Sequence, residues 1–371
     1  MALRRSFRNI IRSSSQYLQS IDLPLFGAVI LIALVGILNL YGIGGSQGPF
    51  LMRQIVLVIF GVMVMVALSF FNYRYLKNYS FPVLLLYGIS LVLLVLTLTS
   101  GSIRGVRAWI IFGGVTFEAS ELAKLAVIVL MAKYFSQRHV HIKQFRHIIS
   151  SGFYVAIPTV VILAQPDLGS AVIVLILWGA MLLAAGMSKR HLFLLVAVAL
   201  VTAYLAWVFV LRPYQKERIL SFINPYRDPT GIGYNIIQSK IAIGSGGLWG
   251  VGLGNGSQTT LGFLPEPYND FAFAALAEQF GLFGAVAVMG LVLFIVFRIV
   301  TIGERTGNNF AKLFAIGLAV FIFAHVFINA AVNVGILPIT GIPFSFLSYG
   351  GSHLISLMAG IGTLQSMKRY G

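Results

Sequence analysis

The chain has 371 residues, of which 58% are hydrophobic and only 10% charged, and this composition excludes an ordinary soluble globular domain. Its net charge of +16 is compatible with nucleic-acid binding, but the basic residues recur between apolar runs, where they mark one side of a membrane. The chain has no cysteine, which excludes disulfides and thiol catalysis.

Apolar runs of about 20 residues follow one another along the chain, and each is long enough to cross a bilayer core of about 30 Å. Their uniform apolarity favours helices over the alternating strands of a membrane barrel. We therefore predict an all-α, polytopic integral membrane protein with one domain over 1–371 and ten transmembrane helices. The predicted spans are 22–41, 54–71, 81–99, 119–136, 150–165, 168–187, 191–210, 270–297, 310–336 and 350–367.

The lysines and arginines predict the orientation of these spans. With the N-terminus inside, most of the 26 Lys and Arg fall on the cytoplasmic side, so both termini are predicted to be cytoplasmic. Segment 1–21 has Arg4, Arg8 and Arg12 on one helical face, which indicates a cytoplasmic interfacial segment, although a generic basic flank explains the pattern equally well. Residues 211–269 form one large extracytoplasmic loop.

Three outer segments carry candidate site residues. Arg104 and Arg107, before the fourth span, have the planar forks that bind phosphate oxygens, although loop arginines without that role are common. Glu121 and Lys124 are three residues apart on one helical face, which predicts an ion pair that is either structural or part of a site. Asp167 lies between two spans, where it either caps the next helix or faces an outer cavity.

The extracytoplasmic loop contains the basic residues Arg218 and Lys240, followed by the glycine-rich segment 244–256. This segment matches neither a P-loop nor a dinucleotide-binding pattern. Its glycines are explained either by a backbone that approaches a ligand closely or by a flexible loop.

Three of the ten acidic residues lie where this loop meets the eighth span: Glu266, Asp270 and Glu278. On a helix, eight residues rise about 12 Å, so Glu278 lies too deep to share a proton-transfer site with Asp270 and is predicted to be a buried structural partner. Glu266 is predicted to shape the loop. Before the tenth span, the uncharged segment 337–352 predicts a re-entrant turn that faces protein or a water-filled cavity.

Seven of these segments, in this order, resemble the SEDS family of bacterial cell-wall polymerases (RodA, FtsW and SpoVE types), and most of all its RodA branch. Two departures stand out: Ala108 replaces the arginine that usually precedes the tryptophan, and Glu118-Ala119 replaces the usual Gln-Pro. The matching segments are Arg107–Ile110, Ser120–Lys124, Gln165–Gly169, Gly244–Leu248, Phe263–Glu266, Asp270–Phe271 and Ser348–Ser352.

The resemblance implies a peptidoglycan glycosyltransferase that polymerises lipid II at the outer face of the bacterial plasma (inner) membrane, during elongation and rod-shape maintenance. Asp270 is the expected general base for the acceptor hydroxyl. The expected contacts to the substrate and its pyrophosphate are Arg104, Arg107, Lys124 with Glu121 beside it, Asp167, Arg218, Lys240, Glu266, Ser348 and Ser352.

Two other functions remain open from the sequence, a lipid II flippase and a non-enzymatic scaffold. The absence of an Asp-x-Asp motif argues against a metal-dependent nucleotide-sugar enzyme. A divalent cation, Mg²⁺ or Mn²⁺, is possible if the fold brings Glu266, Asp270 and Glu278 together. The implied partners are a class B penicillin-binding protein, other proteins of the rod-shape complex and membrane lipids, with no nucleic acid.

Overall fold

A computed structural model describes residues 21–45, 48, 50–101, 106–112, 115–138, 145–211, 213–227 and 231–371. The predicted interfacial helix and Arg104 lie outside these residues. The described chain is mostly helical, as predicted. Its elements are α1 (Leu23–Gly44), α2 (Leu51–Phe70), α3 (Arg74–Asn78), α4 (Phe81–Leu98), β1 (Trp109–Phe112), β2 (Val115–Glu118), α5 (Ala119–Ser136), α6 (Phe145–Ala164), α7 (Leu168–Ala184), α8 (Lys189–Leu205, continued by a π-helical turn over Ala206–Val210), α9 (Pro213–Ile223), α10 (Ile232–Gly246), α11 (Ser257–Thr260), α12 (Ala272–Arg305), α13 (Asn309–Asn333) and α14 (Gly351–Tyr370).

Each of the ten predicted spans overlaps one of the long helices. In the described part of the chain, seven helices are long and apolar enough to cross a membrane: α1, α2, α4, α6, α8 with its π-helical turn, α12 and α13. The remaining three, α5, α7 and α14, do not meet that description. Helix α7 is short, with 17 residues, and α5 and α14 carry buried polar side chains.

Helix α5 lies at the centre of the fold, packed against α4, α7, α13 and α14. Its neighbours cover it so completely that even Glu121 and Lys124 are buried. A helix enclosed by protein does not need the uniform apolar surface that lipid contact requires, which explains its low hydropathy. By contrast, α2, α4 and α8 expose large apolar side chains such as Met52, Phe81 and Phe193, as a lipid-facing surface requires.

The sequence analysis did not predict the short antiparallel hairpin of β1 and β2, which pairs Trp109 with Glu118. Both strands are rich in β-branched and aromatic residues, which favour an extended backbone. The hairpin leads directly into α5. It therefore fixes the position of Glu118 at the N-terminal end of that central helix.

Helix α12 is broken at Gly281, whose φ of 67° is left-handed. The glycine-rich segment fills the break: Val251 N–H donates to the Glu278 carbonyl (3.0 Å), and Leu282 N–H donates to the Gly247 carbonyl (2.9 Å). A Cβ atom at Gly246 would lie 2.0 Å from the Ala277 carbonyl oxygen. At Gly246 and Gly250 the close approach is therefore to the backbone of α12, a partner that neither explanation offered above named, and hydrogen bonds hold the segment there.

We expect Gly281→Ala to destabilise the protein by about 1–3 kcal/mol, because alanine is strained in the left-handed region. Its Cβ would also lie 2.3 Å from the Gly250 nitrogen. The matched control is Gly290→Ala in the same helix, where no atom lies within 4 Å of an added Cβ. The melting temperature of this control in detergent is expected to equal or exceed that of the wild type. Equal melting temperatures for Gly281→Ala and wild type would contradict this account of the break.

Candidate active site

A cavity of about 220 Å³ opens between the β1–β2 hairpin, the start of α7, helix α9, the loop before α12 and the turn before α14. It combines acidic, basic and hydroxyl side chains in one place, which is how a site for a charged, hydroxyl-bearing substrate is built. Its polar lining comprises Thr116, Glu118, Asp167, Arg218, Asn269, Asp270, Thr340, Tyr349, Ser352 and His353. Of the predicted site residues, Asp167, Arg218, Asp270 and Ser352 therefore meet here.

Hydrogen bonds to its backbone carbonyl hold Asp270 in the cavity wall. Its carbonyl oxygen accepts hydrogen bonds from the side-chain amides of Asn329 (2.9 Å) and Asn333 (2.8 Å) on α13. Helix α12 begins after Phe271, which occupies the N-cap position, and no side chain makes a cap hydrogen bond there. Helix capping therefore does not account for Asp270, and its half-buried side chain lines the cavity.

Asp167 combines the two roles that the sequence analysis offered as alternatives. Its Oδ1 accepts a hydrogen bond from the Ser170 N–H (3.0 Å) and so caps α7. The same side chain lines the cavity. Capping fixes the carboxylate in place without removing it from the site.

Glu118 ends β2 outside the helical spans and joins the cavity wall to α14. Its N–H donates to Ser352 Oγ (2.8 Å), and its Oε1 accepts from Ser120 Oγ (2.6 Å). Burial raises the pKa of the Glu118 carboxyl from 4.5 to about 8, and the negative charges of Glu121 and Asp167 add to this rise. A raised pKa favours the protonated carboxyl, so Glu118 adds less negative charge to the cavity than an ordinary glutamate would.

A buried polar network lies below the cavity, on α5, α13 and α14. The predicted ion pair is present, with Lys124 Nζ 2.7 Å from Glu121 Oε1. The other oxygen of Glu121 lies 2.7 Å from His353 Nδ1, and Lys124 Nζ lies 3.5 Å from His325 Nε2. Glu121 and Lys124 do not themselves line the cavity, and His353 is the member of this network that reaches it.

The remaining predicted residues lie outside the cavity lining. Arg107 is exposed, and its backbone N–H donates to the Gln165 carbonyl (3.2 Å). Lys240 lines a separate pocket of about 350 Å³, together with residues such as Tyr226 and Ile237. The fold therefore separates Lys240 from Asp270.

Glu266 and Ser348 shape the loops around the site. Glu266 has a left-handed φ of 47°, and its carboxylate accepts from the Asn269 side-chain amide (3.2 Å). Ser348 Oγ donates to the Asn269 carbonyl (2.7 Å) and accepts from the Phe344 N–H (2.9 Å). Both residues therefore position the backbone next to Asp270.

The fold does not bring Glu266, Asp270 and Glu278 together as a cation site. The Glu278 carboxylate instead accepts from the backbone N–H groups of Gln258 (2.8 Å) and Thr259 (3.1 Å), as expected of a buried structural partner. Across the described residues, one set of side chains is close enough to bind a metal: Glu121, His325 and His353, whose ligand atoms lie within 4.8 Å of one another.

Among the acidic, basic and histidine side chains of the cavity wall, the sequence analysis missed two, Glu118 and His353. Glu118 was noted only as a departure from the family pattern. His353 follows the matched segment Ser348–Ser352 directly, and its contact with Glu121 joins residues 232 positions apart. Adjacency to that segment was the only available signal.

The fold and site define a multi-pass, helical membrane protein with a carboxylate-lined polar cavity. The chain belongs to the FtsW/RodA/SpoVE family of cell cycle proteins, whose family model matches residues 15–371. It is 38% identical over 344 residues to the peptidoglycan glycosyltransferase MrdB of Escherichia coli, and the aligned region covers 91% of both chains.

Solved structures have the same fold. A chain of a peptidoglycan synthase complex, studied for its coordination of polymerization and crosslinking, aligns with a TM-score of 0.81 and 31% identity over 94% of this chain and 98% of that one. The crystal structure of the rod shape determining protein RodA of Thermus thermophilus aligns with a TM-score of 0.70 and 28% identity, over 94% and 97% of the two chains.

The raised pKa of Glu118 predicts a pH-dependent stability. A carboxyl whose pKa is 4.5 when unfolded and about 8 when folded stabilises the fold fully below pH 4.5 and loses that contribution as the pH rises through about 8. The melting temperature of the wild type should therefore fall over this range by more than that of Glu118→Gln. Glu217→Gln, at an exposed acid of α9, should keep the wild-type dependence. If the melting temperatures of wild type and Glu118→Gln fell equally with pH, the raised pKa of Glu118 would be refuted.

Proposed function

We propose that this chain is a peptidoglycan glycosyltransferase that polymerises lipid II at the outer face of the bacterial plasma membrane, during cell elongation and rod-shape maintenance. The observation that carries the proposal is the position of Asp270, a half-buried acid that lines the same polar cavity as Arg218. The likeness to MrdB, over nine-tenths of both chains, supports the same activity.

The membrane arrangement that we propose has ten spans, with α5, α7 and α14 added to the seven apolar helices, and both termini in the cytoplasm. Contacts between the first and last spans support it. Lys368 Nζ, near the end of α14, donates to the Ile21 carbonyl (3.1 Å) and to Asp22 Oδ2 (3.0 Å), just before α1. The start of α1 and the end of α14 therefore lie on the same side.

In the proposed reaction, Asp270 takes the proton from the sugar hydroxyl that attacks the anomeric carbon of a second lipid-linked sugar. A new carbon–oxygen bond forms, the bond from that carbon to the phosphate oxygen breaks, and the lipid pyrophosphate leaves with the bonding electrons. Negative charge develops on the leaving group, so a fixed cation beside it lowers the barrier. We assign that role to Arg218, the arginine in the cavity lining.

The other cavity residues take supporting roles in this proposal. Asp167, fixed by its cap on α7, and Ser352, fixed by the Glu118 N–H, offer oxygen atoms to sugar hydroxyls. Lys124 is fully buried beside Glu121, so its contribution is the field of a desolvated charge and not a direct contact. We assign any Mg²⁺ or Mn²⁺ that the reaction uses to the pyrophosphate oxygens, because these ions prefer oxygen ligands.

The proposed partner is a class B penicillin-binding protein that cross-links the new strands, within a rod-shape complex. The similar chain in a peptidoglycan synthase complex that coordinates polymerization and crosslinking supports this assignment.

We expect Asp270→Asn to lower the rate of glycan formation from labelled lipid II by about 10²–10⁴-fold, because the amide cannot accept the proton. The fold should persist, since the anchoring contacts from Asn329 and Asn333 are made to the backbone. Glu217→Gln, on the exposed face of α9, is the matched control and should keep full activity. Polymerisation by Asp270→Asn at the wild-type rate would remove Asp270 as the base.

Arg218→Gln should lower kcat/KM for lipid II about 10- to 100-fold, the usual effect of losing a charge-assisted hydrogen bond to a phosphate. The control is Lys216→Gln on the same helix, because Lys216 lies over the Trp207 ring (5.9 Å) and does not line the cavity. If both variants lost activity to the same degree, the effect would come from the charge of α9 in general and not from a contact by Arg218.

A further inference from the structure

His353 connects the cavity to the buried ion pair below it. It lies at the start of α14, is only 5% exposed and forms part of the cavity lining. Its Nδ1 is 2.7 Å from Glu121 Oε2, and Glu121 Oε1 is 2.7 Å from Lys124 Nζ. Glu121 is thus held between a residue of the cavity wall and a residue of the core.

The neighbouring contacts show what each histidine nitrogen does. His325 Nδ1 lies 3.3 Å from the Pro343 carbonyl and must donate to it, which leaves Nε2 to accept from Lys124. His353 Nδ1 must donate to Glu121, because a carboxylate oxygen only accepts. His353 Nε2 pairs with Ser345 Oγ (3.1 Å). The proton on Nδ1 is therefore the one that fixes Glu121.

The same atoms suit a shared metal ion less well. Two imidazoles bind one ion when the ion lies near the plane of both rings. The His325 and His353 rings are instead stacked, with centroids 4.1 Å apart and planes 18° apart. The Lys124 ammonium also lies beside the same ligand atoms, where it would repel a cation.

We propose that His353 is a positioning residue that acts through Glu121. By donating from Nδ1, it keeps the Glu121 carboxylate turned into the core beside Lys124. Released from that contact, the carboxylate is free to turn towards the cavity, where its charge would oppose an anionic leaving group. The inference rests on the proposed function, and it adds a requirement that the function alone does not make: one particular nitrogen of residue 353 must be a donor.

Two substitutions separate the two nitrogens. The side-chain amide nitrogen of asparagine lies close to the position of Nδ1, and that of glutamine close to the position of Nε2. We expect His353→Asn to keep kcat/KM for lipid II within about threefold of wild type, and His353→Gln to lower it at least about tenfold, the loss typical of one hydrogen bond to a charged group. A role in packing alone predicts the opposite order or equal losses, because glutamine is nearer to histidine in size.

A double-mutant cycle with Glu121 tests whether the effect passes through that carboxylate. In the Glu121→Gln background, the difference between His353→Asn and His353→Gln should shrink to less than about twofold. The matched controls are His191→Asn and His191→Gln at the start of α8, far along the chain from the network, and both should behave as wild type. A difference at residue 353 that persisted without Glu121 would overturn the proposal.

Two further measurements keep this inference separate from the proposed function. If the wild type formed no glycan from lipid II, the proposed function would be wrong. The double-mutant cycle would then be measured from melting temperatures. Absence of coupling between residues 353 and 121 in those temperatures would overturn the inference. Metal analysis of the purified protein is the second measurement. One zinc per chain, lost in both His353→Asn and His353→Gln, would assign the network to a metal instead and would also overturn it.

Discussion

The position of Asp270 depends on two buried amides. Asn329 and Asn333, one turn apart on α13, both donate to the Asp270 carbonyl, and Asn329 also donates to the Ile342 carbonyl (2.8 Å) in the turn before α14. Asn333 Oδ1 accepts from the Ala274 N–H (2.8 Å) in the first turn of α12. These two side chains thus join the loop before α12, the first turn of α12 and the turn before α14. Backbone groups in such segments have no partner within a helix. This anchoring is made to the backbone carbonyl of Asp270, and the residue lines the cavity.

The break in α12 solves a related problem. A helix interrupted within a membrane protein leaves carbonyls and N–H groups unpaired, and each unpaired group is costly where water is scarce. Here the glycine-rich segment provides the missing donors and acceptors, through Val251, Gly252, Gly247 and Leu248. Glycine is required because a Cβ at Gly246 or Gly250 would lie about 2 Å from carbonyl oxygens of α12. The glycine-rich segment is therefore part of the folded core, and the half-helix that follows Asp270 is held by it as well as by Asn329 and Asn333.

The sequence predicted features that depend on neighbours along the chain and missed those that depend on distant partners. Among the described residues, hydropathy located every long helix, including polar α5, because a run of apolar residues is a local property. Helical spacing predicted the Glu121–Lys124 pair. No local pattern relates His353 to Glu121 or Glu118 to Ser352, which are more than 230 positions apart. The glycines were noticed, but their packing on α12 was not predicted, because composition does not distinguish a backbone that packs on a ligand from one that packs on a helix.

Charge balance explains how the cavity tolerates its departures from the family pattern. Glu118, which lines the cavity, stands where the family pattern described above has glutamine, and Ala108, which does not line it, stands where that pattern has arginine. The first change adds an acid to the cavity wall. An anionic pyrophosphate would bind poorly beside Glu118, Asp167 and Asp270 if all three were ionised, because like charges in a poorly solvated site repel strongly. Burial raises the pKa of Glu118 to about 8, which favours the neutral form of this residue. A protonated glutamate has the size of glutamine and, like it, both donates and accepts hydrogen bonds. The raised pKa therefore lessens the negative charge that Glu118 adds to the cavity, which Arg218 also lines.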